Sequence, residues 1–226
     1  MRSTGDQNLD ITGVKFYADG WVLPRTCALR EPFSDEPTNN GVLFLDADTL
    51  VRKASPFAEK GWQIATHAIG DRAIVEVLDA YEEIYGSDCA KAAPRIEHCI
   101  VLDEDIAHRM SALGVVACIQ PSFAVTDSAE AHQALGSRMK TAYRWDVLLD
   151  AGVKLIAGSD YPIEALAPLT GLRDLASGEG HVLNLDQGLA LMSDAEAGVT
   201  HLSNDPRNVS WDAWETIEVL GTECKT

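Results

Sequence analysis

One unit recurs along the chain and limits what it can fold into: a helical stretch, a glycine, then a short apolar strand ending in polar residues. It reads Phe57 to Lys60, Gly61, then WQIATH; Met110 to Leu113, Gly114, then VVACIQ; and Val147 to Ala151, Gly152, then VKLIAGSD. Glycine suits the position just past a helix, where a positive φ costs it little. The runs that follow are short and apolar, as parallel strands covered on both faces are. Strands alternating with helices imply parallel βα units. Five strand ends are legible: VKFYADG near residue 18, QIATH at 67, RIEH at 98, ACIQ at 120 and LIAGSD at 160. In a βα barrel the chemistry sits at the C-terminal ends of the strands, so each of these ends is a candidate. A dinucleotide-binding sheet is the rival, but no G-x-G-x-x-G follows a strand and no G-x-x-x-x-G-K-[ST] occurs.

The intervening helices can be read as well. DRAIVEVLDAYEEIYG carries Ile74, Val77, Leu78, Tyr81 and Ile84 on one stripe, with Asp71 placed to cap its start and Gly86 its end. DEDIAHRMSALG opens with acids, which favour a helix N-terminus. AYRWDVLLDAG is a third. Pro56, inside the helix expected over 48–60, predicts a kink there.

The 226 residues, 46% hydrophobic, suffice for one core or one and a half. With 35 acidic against 18 basic residues the net charge is -17, which repels phosphate backbones and anionic lipids and argues against nucleic-acid or membrane partners. Two readings of that excess stand level: a solvent of very high salt, or an ordinary acidic cytosolic protein. The five cysteines, Cys27, Cys89, Cys99, Cys118 and Cys224, are odd in number and form no C-x-x-C pair. That argues against a disulfide framework, and Cys99 and Cys118, in apolar runs, read as core. MRSTGDQNLD lacks an apolar signal region and no run reaches 18 apolar residues, so a soluble cytoplasmic protein is expected.

His67, His98 and Asp160 each close a different apolar run, so in a barrel all three are expected to converge on one mouth. Two imidazoles and a carboxylate suit zinc, manganese or iron. Singly, each is more often a satisfied structural residue; their shared slot at strand ends is what points to metal or acid-base chemistry. Lys15, on the strand GVKFYADG, has two readings: it snorkels outward, or it points inward and serves, carboxylated, as a metal ligand. His108, His132, His181 and His201 lie in helical, polar or loop contexts and read as solvated.

GVKFYADG, RTCALREPFSDEP, GWQIATHAIGDRA, PRIEHC, ACIQPSF and AGVKLIAGSDYPIE, in this order, resemble the amidohydrolase superfamily, and within it amidohydrolase family 3, which includes N-substituted formamide deformylase-like enzymes. The similarity runs from about residue 11 to 176. The resemblance implies a (β/α)8 TIM-type barrel with one or two divalent metals. The family's fifth-strand histidine falls on His67, its sixth-strand histidine on His98, its eighth-strand aspartate on Asp160 and its fourth-strand bridging residue on Lys15. Arg25, Arg72, Asp127 and Arg138 match loop positions that would shape a substrate pocket, against the default of surface ion pairs. The chain departs from the family in having no His-x-His, and Phe123 stands where relatives often have histidine.

The expectation is therefore α/β: a partial barrel of strands 4–8 over residues 1–185, then a C-terminal helix and β remnant of a composite sandwich over 186–226. At most one metal is expected, zinc first. The expected chemistry is hydrolysis of a carbon–nitrogen bond in a small amide-type substrate, with Asp160 as general base and acid. Two rivals stand: an inactive remnant or binding protein that keeps the fold, and an unrelated metal-dependent barrel such as a lyase. With first strands absent, self-association or pairing with a complementary N-terminal half is expected.

Overall fold

The computed structural model describes residues 11–177, 183–193 and 197–224. Five strands form one sheet in chain order: β1 (Gly13–Tyr17), β2 (Gln63–Ala68), β3 (Arg95–His98), β4 (Val116–Ile119) and β5 (Leu155–Ala157). The pairs β1–β2, β2–β3 and β3–β4 are parallel. Helices α1 (Ala47–Ala58), α2 (Asp71–Tyr85), α3 (Cys89–Ala92), α4 (Glu104–Leu113), α5 (Phe123–Thr126), α6 (Ser128–Leu135) and α7 (Trp145–Asp150) fill the connections. After β5 come α8 (Pro168–Ser177), α9 (Leu185–Met192) and the strands β6 (Gly198–Leu202) and β7 (Val219–Cys224). The chain divides into two compact units, 1–119 with 127–156, and 120–126 with 157–226.

In the first unit the repeated glycines do what their position requires. Gly61, Gly114 and Gly152 have φ of 74°, 69° and 84°, each ending a helix before a strand. At Gly114 a Cβ would also come within 2.6 Å of the Ala90 backbone. The α2 stripe is buried as its spacing dictates, through Ile74, Val77, Leu78 and Tyr81. The Tyr81 hydroxyl, 2.8 Å from both Thr66 Oγ1 and the Arg95 carbonyl, ties that helix to β2 and β3. Full burial of such a side chain contributes about 1.5–3 kcal/mol.

Some local expectations shift by a residue or a turn. Asp71 does not cap α2; Gly70 holds that position, and Asp71 is the first helical residue, its Oδ1 accepting from the backbone of Arg30 and Arg72. Asp103 is a true cap, accepting from Ile106 N at 2.9 Å. The helix expected over 48–60 is α1, which holds Pro56 inside it and ends at Ala58. His132, read as a polar or loop residue, lies on α6 and bonds within its own turn to the Ser128 carbonyl. His181 and the polar N-terminus fall outside the described residues.

The second unit has a smaller core, built on Leu172, Trp214 and Ile217 with Leu169, Leu185, Leu189 and Met192 packed against them. Trp214 Nε1 donates to the Leu169 carbonyl at 2.9 Å, anchoring the 3-10 turn that carries it to α8. Strands β6 and β7 pair antiparallel. Among the described residues no helix is long and apolar enough to cross a membrane.

Candidate active site

The register of the sheet sorts its side chains. Lys15 is opposite Ala65, Tyr17 opposite His67, and His67 opposite Glu97, so alternate positions share one face. Phe16 points the other way and packs against Phe57 of α1, at 6.3 Å between ring centroids. Lys15 therefore lies on the face that carries His67. Its Nζ stands 5.0 Å from the Tyr17 ring, a cation–π distance, and the Tyr17 ring is 5.2 Å from that of His67.

His67 and His98 are brought together, with ring centroids 4.5 Å apart and both residues buried. His98 ends β3 with φ of +80°, and Cys99 follows at +50°. Left-handed conformations at non-glycine residues cost of order 1–3 kcal/mol each and persist where surrounding structure enforces them. Here Cys99 N donates to the Ala68 carbonyl and Val101 N to that of Ile69, bending the chain back over the end of β2.

The ring of His67 is oriented by its neighbours. Its Nε2 is 2.9 Å from the Gly20 carbonyl and 3.4 Å from Asp19 Oδ1. Asp19 is buried and accepts from three backbone amides, Ala28 N, Ile69 N and Gly70 N, at 2.9–3.0 Å. The segments can approach this closely because two positions lack a side chain. A Cβ on Gly70 would fall 2.0 Å from the Ala28 carbonyl oxygen, and one on Gly20 would fall 2.2 Å from Thr26 Oγ1. Sequence reasoning passed over Asp19. Its signal was present, an acid followed by glycine directly after an apolar strand.

Glu97 was also missed. It is buried on the His67 face, with Arg95 Nε 2.6 Å from its Oε1. The alternation of charged and apolar residues in RIEH marks it. Next to it, burial and the Glu97 carboxylate push the Cys118 thiol up to about 12, and burial raises Cys99 well above its ordinary value. Both thiols stay protonated at neutral pH and act as core groups.

The third strand-end candidate sits differently. β5 ends at Ala157, so Asp160 does not close the strand; it lies three residues further on, in a turn of the second unit, with φ of +55°. The short strand is the reason: Gly158 and Ser159 carry the chain out of the ladder before the carboxylate is reached. Asp160 is half-buried and its side chain has no hydrogen bond or ion pair among the described residues. Also among the described residues, no three His, Cys, Asp or Glu side chains form a group able to hold a metal ion. What the structure assembles is the histidine pair, with Lys15 on the same face.

Three of the four loop candidates are engaged with the chain itself. Arg25 pairs with Asp35 at 2.5 Å, Arg138 donates to the backbone carbonyls of Glu31 and Pro32, and Asp127, buried, accepts from Trp21 Nε1 at 3.0 Å. Arg72, exposed in the first turn of α2, has no side-chain partner among the described residues. Phe123 is buried in α5.

A family model described as "Amidohydrolase family" matches residues 1–204. A Bacillus subtilis (strain 168) protein named "Putative amidohydrolase YtcJ" is 32% identical over 206 residues, which is 85% of this chain and 39% of that protein. N-substituted formamide deformylase of Arthrobacter pascens is 28% identical over 133 residues, 58% of this chain and 24% of the enzyme. Among solved structures, an uncharacterized metal-dependent hydrolase from Pyrococcus furiosus superposes with a TM-score of 0.75 at 32% identity, covering 82% of this chain and 39% of that one. The chain thus spans well under half the length of these relatives. Its parallel βα units are those of a partial barrel of the TIM type, as in those metal-dependent hydrolases.

Proposed function

We infer the function of this chain from one premise: it belongs to the amidohydrolase family. The reading is metal-dependent hydrolysis of a carbon–nitrogen bond in a small amide-type substrate, in the cytoplasm. The observation that carries it is the pairing of His67 and His98, 4.5 Å apart at the C-terminal ends of adjacent parallel strands.

The paired imidazoles suit a divalent cation of the zinc type and supply two of the four ligands it takes. Two imidazoles are borderline ligands, and Nδ1 of His67 has no hydrogen-bond partner among the described residues, so its lone pair is available. His67 and His98 would hold the ion, and the family resemblance adds Lys15 and Asp160 as proposed ligands. At most one ion per chain is expected. Such an ion supplies Lewis acidity and lowers the pKa of water.

Asp160 would accept the proton of the attacking water and return it to the departing nitrogen. A left-handed turn that leaves its carboxylate without a competing partner supports this role. Arg72 is the freest of the loop residues to meet a polar substrate, whereas Arg25, Asp127 and Arg138 would shape the pocket by holding its loops. Among the described residues both outer strands of the five-stranded sheet, β1 and β5, pair on one side only, which supports self-association or a complementary half.

The second reading is a binding protein that keeps the fold without turnover. It draws on the absence of any three-ligand group among the described residues. Hydrolysis of N-formyl amides by zinc-loaded protein decides between them. The enzyme reading expects turnover that chelation removes and that Asp160→Asn lowers by about 10²–10⁴-fold with the fold intact. No turnover at any metal loading, or an Asp160→Asn variant as fast as the parent, contradicts it.

A further inference from the structure

We propose that Asp19 and the Gly20 carbonyl form a cradle that locks His67 as the Nε2–H tautomer and so presents Nδ1 as the metal-binding nitrogen. A backbone carbonyl only accepts, so the nitrogen 2.9 Å from Gly20 O must carry a hydrogen. Asp19 Oδ1, 3.4 Å from the same Nε2, makes no second hydrogen bond, but its negative charge favours a proton on that nitrogen. A neutral imidazole has one N–H, and fixing it on Nε2 leaves the lone pair on Nδ1.

Asp19 suits the task because it cannot drift. Its Oδ2 accepts from Ala28 N and Gly70 N, and its Oδ1 from Ile69 N, so three backbone groups from two separate segments hold the carboxylate. The remaining side of Oδ1 meets the imidazole. A carboxylate or carbonyl on the far nitrogen of a ligating histidine sets its tautomer and raises its basicity. Asp19 acts through His67 and is a positioning residue. The proposal rests on the reading of His67 as a ligand, but the tautomer can be measured without any metal.

The test uses the full chain, 15N-labelled, stripped of metal and held about two pH units above the ordinary histidine pKa. Long-range 1H–15N correlations report which ring nitrogen is protonated, and loss of one pattern in His67→Asn assigns it. The cradle predicts a protonated Nε2 and a bare Nδ1 for His67. A protonated Nδ1, or a ring averaging between both forms, overturns the proposal. In Asp19→Asn the amide cannot accept from all three backbone donors and orient the ring as well. Zinc affinity, read by competition with a coloured chelator, should fall by about 10–100-fold, with the His67 tautomer becoming mixed. A folded Asp19→Asn protein with unchanged affinity and tautomer removes Asp19 from the role. Should that variant fail to fold, the parent spectrum alone decides the tautomer. If the parent protein binds no zinc, the metal reading fails, and the same spectrum still tests the cradle.

Discussion

At the end of β2, His67 is held on one nitrogen by the Gly20 carbonyl, beside the Asp19 carboxylate, which is itself tied to three backbone amides. Past the end of β5, Asp160 stands in a left-handed turn with no side-chain bond among the described residues. The first region encodes its functional geometry in a network, so many residues must agree for the imidazole to point where it does. The second encodes it in backbone conformation alone. The burial pattern runs parallel. The first unit buries large side chains completely, among them Trp145, Tyr81, Leu50 and Leu78, while the second has a core of a few residues.

Truncations in the two cores test that contrast most strongly. Leu78→Ala removes a wholly buried side chain and should cost about 2–5 kcal/mol in urea unfolding. Leu189→Ala, at a partly buried site in the second unit, should cost less than about 2 kcal/mol. Equal losses would remove the distinction. A smaller effect separates the two strand ends themselves. Gly70→Ala drives a methyl into the Ala28 carbonyl and should cost about 1–3 kcal/mol. Gly158→Ala, beside Asp160, meets nothing within 4 Å and should stay within about 0.5 kcal/mol. If Gly158→Ala were the more damaging, the stretch after β5 would be as tightly built as the one after β2.

These elements differ in how far their sequence reveals them. Three of the five strands, β2, β4 and β5, were legible because short apolar runs behind a glycine allow little else, and the left-handed φ of Gly61, Gly114 and Gly152 matches that reasoning. His67 and His98 were legible because polar residues that close apolar strands stand out. Asp160 was legible as a residue but not in its place, since the sequence does not reveal that β5 stops at Ala157. Asp19 was the hardest to read. The Asp-Gly after β1 marks it as a strand-end acid, but its importance lies in accepting from Ala28, Ile69 and Gly70, partners 9, 50 and 51 residues away that no local pattern reveals.

A pH dependence gives the smallest effect. Burial raises Cys118 to about 12, Cys89 to about 11 and Tyr85 to about 12, and all three lie in the first unit. Their folded pKa values exceed the unfolded ones, so the folded state keeps protons that the unfolded state releases. The stabilisation is complete below about pH 9 and fades as pH rises towards about 12. Urea midpoints of the first unit, followed at Trp145, should drop over that range, and Cys118→Ala should flatten the drop. A midpoint independent of alkaline pH would contradict the burial of these groups.

The central claim is that the paired histidines at the ends of β2 and β3 form a metal site, and zinc stoichiometry tests it most directly. Elemental analysis after equilibrium dialysis should find at most one zinc ion per chain, and none in the His67→Asn/His98→Asn double variant with the fold preserved. Two tightly held ions per chain, or a double variant that keeps its zinc, would contradict the account.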